Sequence, residues 1–168
     1  MKFIGSLALA LPLAAHAADW PNHMGNNQRS GITSEQLNAA SLTQAWVWSS
    51  AAPPQPAWME EARYDAYQMV SGNKSMRSYD LAFNLSAAGT RVFIANTSEG
   101  SCTALNAADG SLAWRKVTGS AVRVAPAYDS AKVYFGSDDG NAYCVNAADG
   151  SETWKVNPSG NNTMVPTQ

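Results

Sequence analysis

Arg91 to Trp114 reads RVFIANTSEGSCTALNAADGSLAW, and Lys132 to Trp154 reads KVYFGSDDGNAYCVNAADGSETW. The two stretches are copies of one unit. The pentapeptide NAADG begins at Asn106 and again at Asn146, an interval of 40, and Trp114/Trp154 and Pro126/Pro166 keep the same interval. Only the hairpin around Glu99-Gly100 differs, carrying one residue more than its counterpart at Asp139-Gly140. Self-similarity at a period of about 40 residues marks a repeat architecture, and it constrains the fold more than any local propensity does.

Each copy has the same physical grammar. Val92 to Ala95 and Val133 to Phe135 are short runs of β-branched, aromatic and small residues, each followed by a polar turn closed by Gly. A second run follows, Cys102 to Leu105 or Ala142 to Val145, and then the turn Asn-Ala-Ala-Asp-Gly. The last piece carries Trp114 or Trp154 into a strand, and Ala121 to Ala125 is expected to supply one more strand before Pro126. Four short strands at this spacing fit one blade of a β-propeller. The apolar runs are nearly continuous, as suits a sheet covered on both faces by neighbouring blades. A β-sandwich would not demand a constant repeat, and no segment of the unit sustains the 3.6-residue period of a helical solenoid. The fold class is therefore all-β, a propeller of four-stranded antiparallel blades.

Ala104 to Gly110 followed by Trp114, and Cys144 to Gly150 followed by Trp154, resemble the PQQ-like (pyrroloquinoline quinone) propeller repeat, whose usual form is A-x-D-x-x-T-G-x-x-x-W. Both copies place Asn where the first Asp is usual and Asp (Asp109, Asp149) where Thr is usual, and the second has Cys144 for the leading Ala. The Gly-His and Trp-Asp marks of WD40 repeats are absent. The resemblance implies that Trp114 and Trp154 dock between adjacent blades, with Gly110 and Gly150 counted among the residues of the blade contact. It also implies that Leu42 to Trp48, with Trp46, is an outer strand that closes the ring by completing the last blade. Rings of this family have about eight blades, so only about two are expected in this chain, which reads as an N-terminal fragment needing further blades for closure.

The rest of the chain divides accordingly. Lys2, the apolar run Phe3 to Ala15 and Ala15-His16-Ala17 form the three parts of a signal peptide over 1–17, with cleavage expected after Ala17 and export to the periplasm or beyond. A run of that length is too short to span a bilayer, which takes about 20 apolar residues. No cysteine follows the cleavage site to carry a lipid anchor. Residues 18–41 form a lead-in segment opening on Asp19-Trp20-Pro21, 42–49 the closing strand, and 50–78 an irregular loop rich in Pro and aromatic residues. Blade one is expected over 79–118, blade two over 119–157, and the start of a third at 158–168. In the loop, Trp58, Tyr64 and Tyr67 suit either a lid that binds a partner or a cover that seals the ring.

The chemistry is sparse. A formal net charge of −2 with interspersed signs offers no basic stripe for nucleic acid and no polybasic segment for a membrane surface. His23 is the one histidine after the leader, so neither a His-based metal cluster nor a Ser-His-Asp triad can be assembled. Asp138-Asp139-Gly140 is explained as a hairpin turn more simply than as a calcium loop. Cys102 and Cys144 lie on equivalent strands of successive blades, two residues out of register, and are expected as buried free thiols because a disulfide needs Cα atoms within about 7 Å. No catalytic, metal or cofactor residue can be named. Two readings follow from the resemblance: a non-catalytic exported scaffold for protein or polymer partners, which the regular repeats favour, or a periplasmic quinoprotein oxidising an alcohol or sugar with PQQ and calcium.

Overall fold

In the computed structural model the described residues are 18–51, 64–65, 70–71 and 83–160. The leader, Trp58, Tyr67 and all but residues 158–160 of the expected start of a third blade fall outside them. Strands run in chain order as β1 (Tyr64–Asp65), β2 (Val70–Ser71), β3 (Phe83–Ala88), β4 (Arg91–Asn96), β5 (Ser101–Asn106), β6 (Leu112–Val117), β7 (Ala127–Asp129), β8 (Lys132–Ser137), β9 (Asn141–Asn146) and β10 (Glu152–Val156). β3 to β6 form one four-stranded antiparallel sheet and β7 to β10 another, each a meander in sequence order. These are two propeller blades, a part of a ring.

The core lies between the blades. Phe93, Ala104 and Trp114 oppose one another across β4, β5 and β6 and so share one face. They pack with Val133, Phe135, Tyr143 and Val145 of the second blade in one buried cluster. Phe93 stacks on Tyr128 at 6.0 Å between ring centroids, and Phe135 on Tyr143 at 5.2 Å. Neither sheet could hide this surface alone, which is why the repeat must be repeated.

Two expectations are corrected. Ala121 to Ala125 is not a strand: the first strand of blade two begins after Pro126, at Ala127. Ala121 and Val122 are buried in the crossing between blades, where the Ala121 carbonyl accepts the Asp138 amide at 2.9 Å. The apolar run that resembled a strand is apolar because it plugs the seam, and Pro126, which has no N–H to give a ladder, falls before the sheet. Secondly, the stretch 50–78 is not wholly irregular, since Tyr64 pairs with Ser71 and Asp65 with Val70 in a two-stranded ribbon.

The lead-in segment pins the inner edges. Trp20 exchanges two backbone hydrogen bonds with Ala87 of β3, at 2.7 and 2.9 Å, and the Pro21 carbonyl accepts from the Tyr128 amide of β7 at 2.7 Å. Asp19 accepts from the Gly89 amide at 2.7 Å. One short segment thereby satisfies edge groups of both blades that would otherwise stand open.

Candidate functional site

The feature that the repeat builds twice is a turn that receives an indole. In the first copy the Asn106 amide donates to the Ser111 carbonyl at 2.8 Å and the Gly110 amide to the Asn106 carbonyl at 2.8 Å. The Asp109 carboxylate accepts from both the amide and the hydroxyl of Ser111, at 2.9 and 2.7 Å. Asn146, Asp149, Gly150 and Ser151 repeat each of these bonds. The hydrogen bonds from Ser111 and Ser151 hold both carboxyls below the ordinary aspartate range. Asp at the position usually held by Thr thus keeps the turn, through a carboxylate in place of a hydroxyl.

Onto each turn comes a tryptophan from the preceding element. Trp114 is buried, its Nε1–H donates to the Ala147 carbonyl at 2.9 Å, and its ring lies over Gly150. Trp46 makes the same contact one repeat earlier, donating to the Ala107 carbonyl at 2.9 Å with its ring over Gly110. Both glycines have positive φ, +71° at Gly110 and +72° at Gly150, and a Cβ at either would fall within 2.8 Å of the indole. Residues 42–49 form no strand ladder, although Trp46, Trp48 and Ser50 are half-buried at alternate positions. Ser50 accepts from Asn96 and donates to Glu99 at 2.8 Å, which anchors the far end of this segment.

Trp154 differs from its two counterparts. It is 43% exposed, and its ring contact among the described residues is Tyr134, at 6.1 Å between ring centroids. The carbonyl it would need belongs one repeat beyond Ala147, past the described residues. Its docking role is therefore not one that the described residues display.

On the opposite ends of the strands the acidic side chains are engaged internally. Asp138 pairs with Arg123 at 2.6 Å, and Glu99 with Arg115 at 3.3 Å. Asp139 accepts from the Tyr143 hydroxyl at 2.6 Å, the Gly119 amide at 3.0 Å and the Asn141 amide at 3.0 Å. Burial opposes the charge of Asp139, but these hydrogen bonds outweigh it and its pKa lies below the ordinary value. Burial, then the bond to Asp139, pushes the Tyr143 phenol upward. A carboxylate with a depressed folded pKa stabilises above its unfolded value, about 3.9, and that contribution vanishes as pH falls through the folded value. Urea melts at pH 6 and pH 3 are expected to show a loss of stability that Asp139→Asn partly flattens. An unchanged pH dependence in the variant would mean the cluster is idle.

Cys102 and Cys144 are free and buried, and burial pushes the Cys102 thiol far up. Among the described residues no three His, Cys, Asp or Glu side chains gather as a metal site, and no helix is long and apolar enough to cross a membrane. Among the described residues the acids Glu99, Asp138 and Asp139 are engaged within the chain, and the two thiols lie on separate blades. The sequence reading missed the Asp139–Tyr143 contact, Ser50 and the Trp20 bridge. Only the Asp-Gly-Ser spacing could have announced the Ser111 and Ser151 bonds.

Among solved structures, BamB from Moraxella catarrhalis is 19% identical over 43% of this chain and 22% of its own, with a TM-score of 0.39. A quinohemoprotein alcohol dehydrogenase from Comamonas testosteroni is 17% identical, covers 86% of this chain and 20% of its own, and has a TM-score of 0.54. The chain spans about a fifth of either protein, and the second likeness shows a shared fold. No curated protein matches the chain. The family model described as outer membrane protein assembly factor BamB matches residues 36–167. That span takes in Trp46, both NAADG turns and both blades, and the chain belongs to this family of PQQ-like repeat proteins.

Proposed function

We infer that the chain is part of an exported, non-catalytic propeller that serves as a platform for protein or polymer partners. The observation that carries this reading is the engagement of its acids: Asp138, Asp139 and Glu99 are each tied to groups of the same chain. With its acids engaged in this way, the face presents shape and hydrogen-bonding edges to a partner. The family description points the same way, since an assembly factor works through protein contacts. On this reading the signal peptide over 1–17 is removed after Ala17, further blades close the ring, and one of them covers Trp154. Trp58, Tyr64 and Tyr67 of the 50–78 loop are the proposed partner contacts.

The test sets the scaffold against the quinoprotein. Purified protein is titrated with pyrroloquinoline quinone in calcium, followed by quinone absorbance, and assayed for dye-linked oxidation of ethanol and glucose. No saturable binding and no oxidation are expected, together with discrete envelope-protein adducts when a photo-crosslinker replaces Trp58 or Tyr67. Saturable quinone binding with turnover would overturn the reading. Deleting 54–63 separates the two roles of the loop: lost adducts with an intact fold mark a binding loop, and lost stability marks a seal.

A further inference from the structure

The strap that crosses the inner edges of both blades begins at Ala18, the residue that cleavage after Ala17 makes the first of the mature chain. Asp19 accepts from the Gly89 amide at 2.7 Å, Trp20 exchanges two bonds with Ala87, and the Pro21 carbonyl accepts from the Tyr128 amide. The chain then turns back. The Gly31 amide donates to the Met24 carbonyl at 2.9 Å, and Gly25 is buried so close to Trp20 that a Cβ there would meet the indole at 3.0 Å. This return sets Glu35, 17 residues on, beside Ala18, whose backbone N–H donates to Glu35 Oε2 at 3.3 Å.

Glu35 stands apart from its surroundings. It is half-buried, whereas every other residue from 31 to 45 is exposed. No lysine or arginine pairs with it among the described residues, and its carboxylate is turned to a backbone nitrogen instead. While the leader is attached, that nitrogen is a neutral amide donor. Hydrolysis by a leader-cleaving endopeptidase breaks the bond between the Ala17 carbonyl carbon and the Ala18 nitrogen. The hydroxyl of water joins that carbon and both protons end on the nitrogen, leaving an Ala17 carboxylate and an Ala18 ammonium. An α-amino group titrates at about 8, so the new terminus is mostly cationic at neutral pH. A neutral contact thereby becomes a charge-assisted one, roughly twice as strong. Asp19, the other carboxylate beside the terminus, is occupied by the Gly89 amide.

We propose that Glu35 receives the α-ammonium of the mature chain, forming an ionic latch that holds the strap over β3 and β7. The latch rests on cleavage after Ala17, as proposed for the leader, and holds whether the complete ring is a scaffold or an enzyme. Capture of a chain terminus by a carboxylate at the surface is a recurring mode of recognition, applied here within one chain.

The exported protein is first weighed by mass spectrometry. A chain starting at Ala18 is expected, and any other terminus overturns the cleavage reading and the latch together. Opening of the strap is then read by 1H–15N NMR as hydrogen exchange of the Ala87, Gly89 and Tyr128 amides, its three donors in the blades. Glu35→Gln keeps an acceptor and loses the charge. It is expected to speed exchange at these amides about two- to fivefold at low salt, as an exposed ion pair of typical strength implies, with the amides of β5 and β9 unchanged. Raising salt to about 1 M should narrow the difference. A form that begins at Ala17 keeps the Ala18 N–H but carries its ammonium about 3.5 Å further off. It should exchange like Glu35→Gln, and the two changes combined should add nothing further. Equal exchange in the Ala18-initiated protein and its Glu35→Gln variant would overturn the latch and leave cleavage standing. An effect of Glu35→Gln that persists in full in the Ala17-initiated form would overturn it too, by showing that the ammonium is not what Glu35 holds.

Discussion

Trp114→Ala is expected to lower the unfolding free energy by about 3–5 kcal/mol. The indole is 7% exposed, packs against Phe93 at 6.0 Å between centroids, and donates to the Ala147 carbonyl at 2.9 Å. Its removal opens a cavity in the seam and strips a buried carbonyl of its donor, two costs that add. Because β6 belongs to one blade and Ala147 to the next, the loss falls on the contact between blades and not on either sheet alone. Trp154→Ala is the internal control. With 43% of its surface exposed, it is expected to cost less than about 1 kcal/mol in this 168-residue chain. Urea unfolding followed by far-UV circular dichroism measures both without relying on the tryptophan signal. Equal costs for the two variants would mean that the indole of Trp114 contributes no more than a surface residue does.

The contrast between these two tryptophans shows how far the sequence could be read. A forty-residue interval announces identical units, and identical units imply identical contacts, so Trp114 and Trp154 are equivalent by pattern, and the family resemblance adds Trp46. What separates them is the neighbour each one meets among the described residues: Ala107 and Gly110 for Trp46, Ala147 and Gly150 for Trp114, and the Tyr134 ring for Trp154. The same limit governs Ala121 to Ala125. Its composition suits a strand, but β propensity records burial, and a seam-plugging segment is as buried as a sheet. Contacts between residues of ordinary type, such as Tyr143 with Asp139 or Asn96 with Ser50, leave no mark on the spacing pattern.

Gly150→Ala tests the docking turn from its other side, and an expected loss of about 3 kcal/mol or more comes from two separable causes. The first is backbone: at φ +72° an L-residue is disfavoured by about 1–2 kcal/mol. The second is the approach of the indole. A Cβ at Gly150 would lie 2.8 Å from Cδ2 and Cε3 of Trp114, against the ~3.5–4.0 Å of an ordinary carbon contact. The ring cannot simply back away, because its Nε1–H is held by the Ala147 carbonyl and its other side by Phe93. Gly89→Ala isolates the first cause, since Gly89 has φ +57° with nothing within 4 Å of the added methyl, and its cost should stay at about 1–2 kcal/mol. The second cause is isolated by a double-mutant cycle. With Trp114 already replaced by Ala, the clash is gone, and Gly150→Ala should fall back to the same ~1–2 kcal/mol, leaving a coupling of at least about 1 kcal/mol between the two positions. Costs that simply add, to within about 0.3–0.5 kcal/mol, would show that the glycine is required by the turn alone and that the tryptophan rests on it without depending on it.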